Sequence, residues 1–127
     1  APGTPNGNCF NYAPYVQNYQ GQQMIQAPDV SYNIGIDYAF PFGDGTLTPR
    51  LDYSYTDDNY SNLDQQDFNL QDERKLTNVS VTYENENWTV QAYINNFTDE
   101  VYVASARLQQ VLYGNPRTYG VRAKYNF

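Results

Sequence analysis

The chain has 127 residues, enough for one ordinary domain, with 14 acidic and 7 basic side chains, no histidine and a net charge of −7. This acidic balance argues against a nucleic-acid partner, because phosphate binding requires clustered Lys and Arg, and no apolar run approaches the ~18 residues of a membrane helix. Aromatic residues nevertheless make up 17% of the chain, including 14 tyrosines. A polar chain with so many tyrosines is unusual for a soluble core and is typical of strands with one face toward lipid and one toward water.

Residues 1–26 show no usable hydrophobic period. Five residues interrupt regular structure and predict a long polar loop: Pro2, Gly3, Pro5, Gly7 and Pro14. Cys9 is the only cysteine, so it is either an unpaired thiol or the disulfide partner of a cysteine beyond this chain, and a metal site is not supported. The chain starts without an initiator Met or a signal peptide, which indicates mature sequence or a piece of a longer protein.

Two strands are predicted next, at about 28–40 and 46–56. Over residues 30–40 the alternation is strict, and this is the length that a tilted strand needs to cross a bilayer. Residues 41–45 (Pro-Phe-Gly-Asp-Gly) predict a tight turn. In the second strand Pro49 falls on the apolar face and cannot donate a ladder hydrogen bond, so a bulge could be needed to absorb it. The apolar positions of the two strands are Val30, Tyr32, Ile34, Ile36, Tyr38, Phe40, Leu47, Leu51, Tyr53 and Tyr55.

Residues 57–75 predict a second long polar loop. Its carboxylates favour a solvated loop, although they could also bind Ca²⁺ or bridge to lipopolysaccharide through divalent ions. They are Asp57, Asp58, Asp64, Asp67, Asp72 and Glu73. Strands at about 76–84 and 88–96 follow, joined by a short turn at 84–87. A third long loop at 97–117 then leads to a strand over 118–127, in which every second residue is apolar or aromatic: Tyr119, Val121, Ala123, Tyr125 and Phe127.

Short turns and long loops alternate along the chain. All short turns therefore lie at one end of the sheet and all long loops at the other, as in bacterial outer-membrane barrels with short periplasmic turns and long extracellular loops. The sequence thus predicts an all-β fold, an antiparallel transmembrane β-barrel segment of about five strands. A soluble β-sandwich also alternates, but the strand lengths of ~10 residues, the loop asymmetry and the Tyr-rich single face favour the barrel. Four aromatic residues are then expected in a periplasmic girdle: Phe40, Tyr83, Trp88 and Phe127.

The alternation also assigns side chains to faces. Nine are predicted to face lipid: Tyr32, Ile34, Ile36, Val79, Val81, Val90, Ala92, Val121 and Ala123. Seven are predicted to face the lumen: Ser31, Asn33, Asp52, Ser80, Gln91, Arg122 and Lys124.

Turn lengths predict the register of the two hairpins. The turn at 84–87 sets Tyr83 opposite Trp88, Val81 opposite Val90, and Val79 opposite Ala92. The bend at 41–46 sets Phe40 opposite Leu47 and Asp37 opposite Arg50. This predicts an ion pair between Asp37 and Arg50 on the lumen face, worth ~0.2–1 kcal/mol because that face is wet.

Several segments resemble the C-terminal end of TonB-dependent outer-membrane receptors. The resemblance is strongest over 88–127 and begins with Trp88. It includes the segment 95–102, with Asn96, Phe97, Asp99 and Tyr102, and the segment 114–120, with Gly114, Pro116 and Arg117. Ala27-Pro28 and the strand ending Tyr38-Ala39-Phe40 are similar to an earlier strand of these receptors. The terminal strand, with Tyr119, Val121, Tyr125 and Phe127, is similar to the family's barrel-assembly signal.

The resemblance implies the last five or so strands of a barrel of about 22 strands that encloses a plug domain. Five strands cannot close a barrel, and an open edge in lipid leaves backbone groups unpaired. The rest of the barrel is therefore expected, in the same chain or in another.

By the same resemblance, the protein is an integral receptor of the Gram-negative outer membrane for a scarce nutrient: a ferric siderophore, haem, cobalamin or an oligosaccharide. Its implied partners are lipid and lipopolysaccharide, the rest of the barrel and the plug, TonB through an N-terminal segment, and the barrel-assembly machinery; no cofactor is implied. The residues contain no catalytic constellation, so the chain is not expected to be an enzyme. The alternatives are a passive porin, an adhesin-like surface barrel or, less favoured, a soluble β-rich binding module.

Overall fold

The computed structural model describes residues 5–6, 9–10, 13–63, 65, 67–107 and 110–127. Over these residues the fold is all-β, with two single-turn 3₁₀ helices at Ala13–Tyr15 and Asp67–Asn69. The strands are β1 (Pro5–Asn6), β2 (Cys9–Phe10), β3 (Ser31–Asp37), β4 (Phe40–Phe42), β5 (Gly45–Thr56), β6 (Asn59–Tyr60), β7 (Leu70–Gln71), β8 (Arg74–Glu84), β9 (Trp88–Asn95), β10 (Val103–Arg107), β11 (Gln110–Tyr113) and β12 (Thr118–Tyr125).

Six of these strands form one antiparallel sheet, the central sheet, in the order β12-β9-β8-β5-β3, with β4 also paired to β5. Its members are rich in β-branched and aromatic residues at alternate positions, which suit a pleated surface. The order is a meander, since long strands that follow one another in the chain lie side by side. The prediction of an all-β antiparallel fold is confirmed. No helix among the described residues is both long and apolar enough to span a membrane.

The strands β3 and β4 are one extended stretch whose ladder is interrupted opposite Pro49. Asp37 pairs with Arg50 and Phe40 pairs with Leu47, as predicted, so the register to β5 does not change across the gap. The Tyr38 N–H donates to the Pro49 carbonyl at 3.2 Å, but Pro49 has no N–H to return the bond. Pro49 therefore costs one ladder hydrogen bond and produces no bulge here.

The register predicted for the β8–β9 hairpin is wrong by two residues. Tyr83 lies opposite Val90, Val81 opposite Ala92 and Val79 opposite Ile94. The cause is the Asn85 side chain, whose carbonyl oxygen accepts the N–H groups of Asn87 and Trp88 at 3.1 and 2.8 Å. With the Asn85 N–H donating to the Trp88 carbonyl at 2.9 Å, the turn is centred one residue later than predicted, and the ladder extends to Glu84 and Thr89.

The predicted long loops contain further strands. Within 57–75, β6 and β7 continue the β5–β8 hairpin in the same register, since Thr56 pairs with Arg74 and Asn59 with Gln71. Within 97–117, β10 and β11 form a second extension that carries a register shift between Val103 and Ser105. Within 1–26, β1 pairs with β2. We call the end of the central sheet that carries these extensions the hairpin end, and the end with the connections at 43–44 and 85–87 the short-turn end.

The central sheet has one apolar and one polar face. The strand register places all nine side chains predicted to face lipid on one side of the sheet, the apolar face. It places all seven predicted to face the lumen on the other, the polar face. A typical apolar row runs Pro49, Val81, Ala92, Val121, and the polar row beside it runs Thr48, Thr82, Gln91, Arg122.

The apolar face is largely uncovered. Ala106 is the only buried hydrophobic residue among the described ones, and it lies in a hairpin extension outside the central sheet. Ile36 and Val121 are 65% and 72% exposed. The chain therefore holds its shape through strand pairing and has no hydrophobic core of its own within the described residues.

Candidate functional site

The polar face carries a three-residue ion cluster where the end of β3 pairs with the middle of β5. The predicted pair is present, with Arg50 Nη1 3.4 Å from Asp37 Oδ1. Arg50 binds Asp52 more closely, because Nε and Nη2 donate to both carboxylate oxygens at 2.7 and 2.6 Å. Alternation places residues 50 and 52 on the same face, so the sequence shows that Asp52 is a second carboxylate within reach of Arg50. Both pairs are about half exposed, so each contributes little to stability.

Aromatic side chains gather at the short-turn end, where the predicted girdle residues lie. Trp88 contacts Tyr125 with ring centroids 4.8 Å apart, and Tyr125 contacts Phe127 edge to face at 5.0 Å. Tyr83 contacts Phe42, and Phe40 stacks on Tyr38. Of the four predicted residues, only Trp88 and Phe127 share a contact partner, so the girdle residues form three separate clusters in the described chain.

A second aromatic group lies at the hairpin end of the apolar face and was not predicted. Tyr32 stacks on Tyr55 at 5.2 Å and contacts Tyr53 at 6.2 Å. All three tyrosines occupy apolar positions of the alternating pattern, and this pattern could have predicted the group. Mainly aliphatic side chains and Pro49 fill the rows between the two aromatic groups, with Tyr119 at the β12 edge and Tyr38 beside Pro49.

Two hydrogen bonds join the turn at 43–44 to the end of β8 and the turn that follows it. The Tyr83 hydroxyl donates to Asp44 Oδ1 at 2.6 Å, and Asn85 Nδ2 donates to Asp44 Oδ2 at 3.4 Å. The bond from Tyr83, followed by the bond from the Asp44 backbone, holds the pKa of the Asp44 carboxyl below its usual value.

Replacing Tyr83 with Phe is expected to raise the pKa of Asp44 toward the ordinary value. A carboxyl whose pKa is lowered by folding stabilises the fold above the unfolded pKa of about 3.9, and that contribution is lost as pH falls through the folded pKa. The variant should therefore show a smaller loss of stability below pH ~4. The measurement is an NMR titration of the Asp44 carboxyl carbon, with Tyr38→Phe as the control; equal midpoints in the Tyr83→Phe and wild-type proteins contradict the assignment.

The residues of the segments 95–102 and 114–120 meet at the base of the β10–β11 hairpin, and we call this the Asn96 cluster. Asn96 is 5% exposed and has a positive φ of 51°. Its Nδ2 donates to the carbonyls of Glu100 and Asn115 at 2.8 and 3.2 Å, and its Oδ1 accepts the Glu100 N–H at 2.8 Å. One amide side chain therefore joins both strands of the connection.

Asp99 repeats this linkage on the exposed side of the cluster. Its carboxylate accepts the backbone N–H of Arg117 at 3.0 Å and lies 3.7 Å from the Arg117 guanidinium. Tyr102 packs against Gly114 so closely that a Cβ there would lie 1.9 Å from its ring, so only glycine fits. Arg74 caps the Tyr102 ring, with Cζ 5.2 Å from the centroid.

The structure thus brings together five of the eight residues that carry the family-like motif: Asn96, Asp99, Tyr102, Gly114 and Arg117. Phe97 and Pro116 are exposed beside them. Trp88 does not join them, since it lies at the short-turn end. The cluster's hydrogen bonds run largely to backbone atoms, so its evident role is to shape the connection.

The acidic segment 57–73 is partly organised by Tyr55. Its hydroxyl lies 3.1 Å from Asp57 Oδ1 and 3.0 Å from Glu73 Oε2, and Glu73 also pairs with Lys75. Lys75 is the main cause of the lowered pKa of Glu73, and Tyr55 is the second. Asp64 lies outside the described residues, as does the side chain of Cys9. Among the described side chains, no three from His, Cys, Asp or Glu are grouped closely enough to hold a metal ion.

Three residues of the proposed assembly signal, Tyr119, Val121 and Tyr125, lie along β12, which is an edge of the central sheet, and Phe127 follows two residues after the strand ends at Tyr125. It pairs on one side with β9 over its whole length, from Thr118–Asn95 to Tyr125–Trp88. Tyr119 is 81% exposed, and Phe127 is fully exposed. Among the residues that the structure describes, no strand lies on the other side of β12.

Comparison with known proteins shows a likeness to a solved receptor structure. No protein-family model matches the chain. Its structure is similar to the crystal structure of BauA, the ferric preacinetobactin receptor from Acinetobacter baumannii, with a TM-score of 0.76 and 25% sequence identity. The match covers 86% of this chain and 16% of the BauA chain. The chain therefore has a receptor-like β fold and spans about a sixth of the length of the receptor it matches.

Proposed function

We propose that this chain is the C-terminal part of the barrel wall of a TonB-dependent outer-membrane receptor that takes up a ferric siderophore. The similarity to BauA over 86% of the chain is the observation that carries this proposal. Haem, cobalamin and oligosaccharides are the other cargo classes that such a receptor could carry. In this proposal the apolar face meets lipid, the polar face lines the lumen, and the chain has no catalytic role.

The spacing of the two aromatic groups supports a membrane setting. Gly45, which pairs with Phe42 at the short-turn end, is ten residues from Tyr55 at the hairpin end. At ~3.3 Å per residue this is about 33 Å along β5. A strand tilted by roughly 40° covers about 25 Å of membrane thickness in that length, which is the height of the apolar band of outer-membrane barrels.

The two open edges of the central sheet support a larger barrel. Both β12 and the β3–β4 stretch lack a second neighbouring strand in the described chain. Edges of this length are unstable in lipid, because every unpaired N–H and C=O costs several kcal/mol there. We therefore propose the remaining barrel strands as direct partners at both edges. The plug, TonB, lipopolysaccharide and the barrel-assembly machinery are the further partners of this proposal.

Uptake by the intact protein tests the cargo and the energy source together. The protein is produced in a Gram-negative host without its own receptor for ferric preacinetobactin, and uptake of the radiolabelled complex is measured with and without a functional TonB. We expect uptake that requires both the protein and TonB. Uptake independent of TonB indicates a passive porin, and recovery of the protein in the soluble fraction contradicts the membrane setting altogether.

Deletion of Phe127 tests the role of the terminal strand. We expect less folded protein in the outer membrane, because the Phe127 ring contacts Tyr125, which in turn contacts Trp88 at the short-turn end. The yield is measured by fractionation and by resistance of the folded barrel to unfolding in cold detergent. Phe127→Tyr, which keeps an aromatic ring, is the control; an unchanged yield after the deletion contradicts the assembly-signal hypothesis.

A further inference from the structure

The ladder of the β5–β8 hairpin stops and starts again before the tip of the hairpin. Pairing of β5 with β8 ends at Thr56 and Arg74, and pairing of β6 with β7 begins at Asn59 and Gln71. The register is the same on both sides, so neither strand has gained or lost a residue relative to the other. Two residues on each strand are left without regular pairing, and a change of register does not explain this interruption.

All four of these residues carry a carboxylate, and we call them the carboxylate gap. They are Asp57, Asp58, Asp72 and Glu73. The shared register sets Asp57 opposite Glu73, and it sets Asp58 opposite Asp72. Like charges that lie directly opposite each other in an antiparallel pair destabilise the pairing. The charge pattern therefore gives a physical reason for the interruption at this point.

The backbone hydrogen bonds change direction within the gap. In a regular antiparallel strand, the N–H groups of every second residue point to the same neighbouring strand. The Asp57 N–H donates to the Val30 carbonyl at 2.9 Å, on the side of β3. The Ser61 N–H, four residues further on, donates to the Asn69 carbonyl at 2.9 Å, on the side of β7. Between them the Asp58 N–H bonds the Asp57 carboxylate at 3.1 Å, so the two ladders are separate hydrogen-bonded units that meet at the gap.

The opposing pair Asp57–Glu73 is partly neutralised. The Tyr55 hydroxyl lies 3.1 and 3.0 Å from these two carboxylates, but it has one proton and donates to one of them at a time. Lys75 forms an ion pair with Glu73. One cation therefore serves two carboxylates in this pair.

The opposing pair Asp58–Asp72 has no such compensation among the described residues. Neither carboxylate takes part in an ion pair there. Arg74 is close in the chain, but its guanidinium donates to Thr56 at 3.5 Å and caps the Tyr102 ring. Two further described groups near the gap are also negative: Asp29, which precedes Val30, and Glu100, which lies near Lys75.

The β6–β7 hairpin beyond the gap is bonded to the segment that precedes β3. The Gln26 N–H donates to the Tyr60 carbonyl at 2.8 Å. Gln65 Nε2 donates to the Gln23 carbonyl at 3.0 Å. A rotation of the hairpin therefore carries residues 23–26 with it.

We propose that the carboxylate gap is an electrostatic hinge between the β5–β8 ladder and the β6–β7 hairpin. Repulsion within the two opposing pairs keeps the ladder open at the gap, so the hairpin turns there as one unit. Removal or screening of these charges joins the two ladders more firmly. The inference rests on the proposed function only for the location of the hinge at the extracellular edge of the barrel wall.

Hydrogen exchange of the intact protein in detergent at low ionic strength tests the hinge. The readout is the protection factor of the β6 and β7 amides, which corrects for the intrinsic exchange rate of each sequence. In Asp58→Asn/Asp72→Asn we expect protection about two- to fivefold greater than in the wild type, because one repelling pair is gone. Lys75→Gln removes the cation beside Glu73 and should lower protection by a similar factor.

Asp67→Asn/Glu86→Gln is the matched control, because it removes two negative charges from exposed positions outside the gap and should leave protection unchanged. In the wild type, about 1 M NaCl should raise protection toward that of Asp58→Asn/Asp72→Asn, since the Debye length falls to about 3 Å. Equal protection in the wild type and Asp58→Asn/Asp72→Asn overturns the hinge, as does an equal gain in the matched control or a difference that salt does not reduce. Absence of TonB-dependent uptake does not alter this readout, so failure of the proposed function and failure of the hinge are distinguishable.

Discussion

Val81→Arg should destabilise the protein in lipid by about 2–4 kcal/mol. Val81 lies in the middle of the apolar face, between the tyrosine group at the hairpin end and the aromatic residues at the short-turn end. If this face meets lipid, the new guanidinium has no water and no carboxylate near it, and the full cost of a charge near the bilayer midplane applies. The measurement is the free energy of unfolding of the intact protein in lipid vesicles, from denaturant titration.

The neighbouring residue gives a matched control. Thr82 is on the same strand and on the polar face, opposite Thr48 and Gln91, so Thr82→Arg places the same charge at the same depth but on the other side of the sheet. Ser80→Arg is a less clean control, because Ser80 lies opposite Arg50 and adds a like-charge repulsion. Equal costs for Val81→Arg and Thr82→Arg contradict a lipid-facing apolar side.

The division of side chains into two faces was predictable because side chains alternate strictly along a strand. A slip of one residue would exchange Arg50 with Leu51 between the faces, and this large penalty fixes the parity of every strand. The same reasoning explains the error in the β8–β9 hairpin. A slip of two residues keeps Val81 and Val79 on the apolar face, so alternation cannot detect it. The register there depends on the Asn85 side chain and its two hydrogen bonds in the turn.

Two other features could not be predicted from the sequence, because they do not follow from the alternation of side chains. The Asn96 cluster joins Asn96 to Asn115 across 19 positions through a side-chain amide and a backbone carbonyl. The closer pairing of Arg50 with Asp52 than with Asp37 depends on the side-chain conformation of Arg50, since both carboxylates are within reach on one face. In both cases the residue types were evident from the sequence, and the choice of hydrogen-bond partner was not.

Asn96→Ala should destabilise the protein by about 3 kcal/mol. The substitution leaves the Glu100 N–H and the carbonyls of Glu100 and Asn115 without their side-chain partners, and each such loss in a buried site costs ~1–3 kcal/mol. It also places a Cβ without local hydrogen bonds at a φ of 51°, which asparagine tolerates better than alanine. The measurement is denaturant unfolding, together with hydrogen exchange of the amides of β10 and β11.

Two more substitutions at position 96 separate the loss of hydrogen bonds from the cost of the backbone conformation. Asn96→Gly relieves the backbone but removes the hydrogen bonds, so it should recover only about 1 kcal/mol of the loss. Asn96→Asp keeps the acceptor for the Glu100 N–H but turns an oxygen toward the carbonyls of Glu100 and Asn115, so it should be at least as damaging as alanine. The exposed Asn33→Ala on β3 is the control and should change little. If the hydrogen bonds of Asn96 hold the hairpin base, hydrogen exchange of the amides in β10 and β11 becomes faster in all three Asn96 variants. Full protection of these amides in Asn96→Gly shows instead that backbone conformation alone holds the hairpin base.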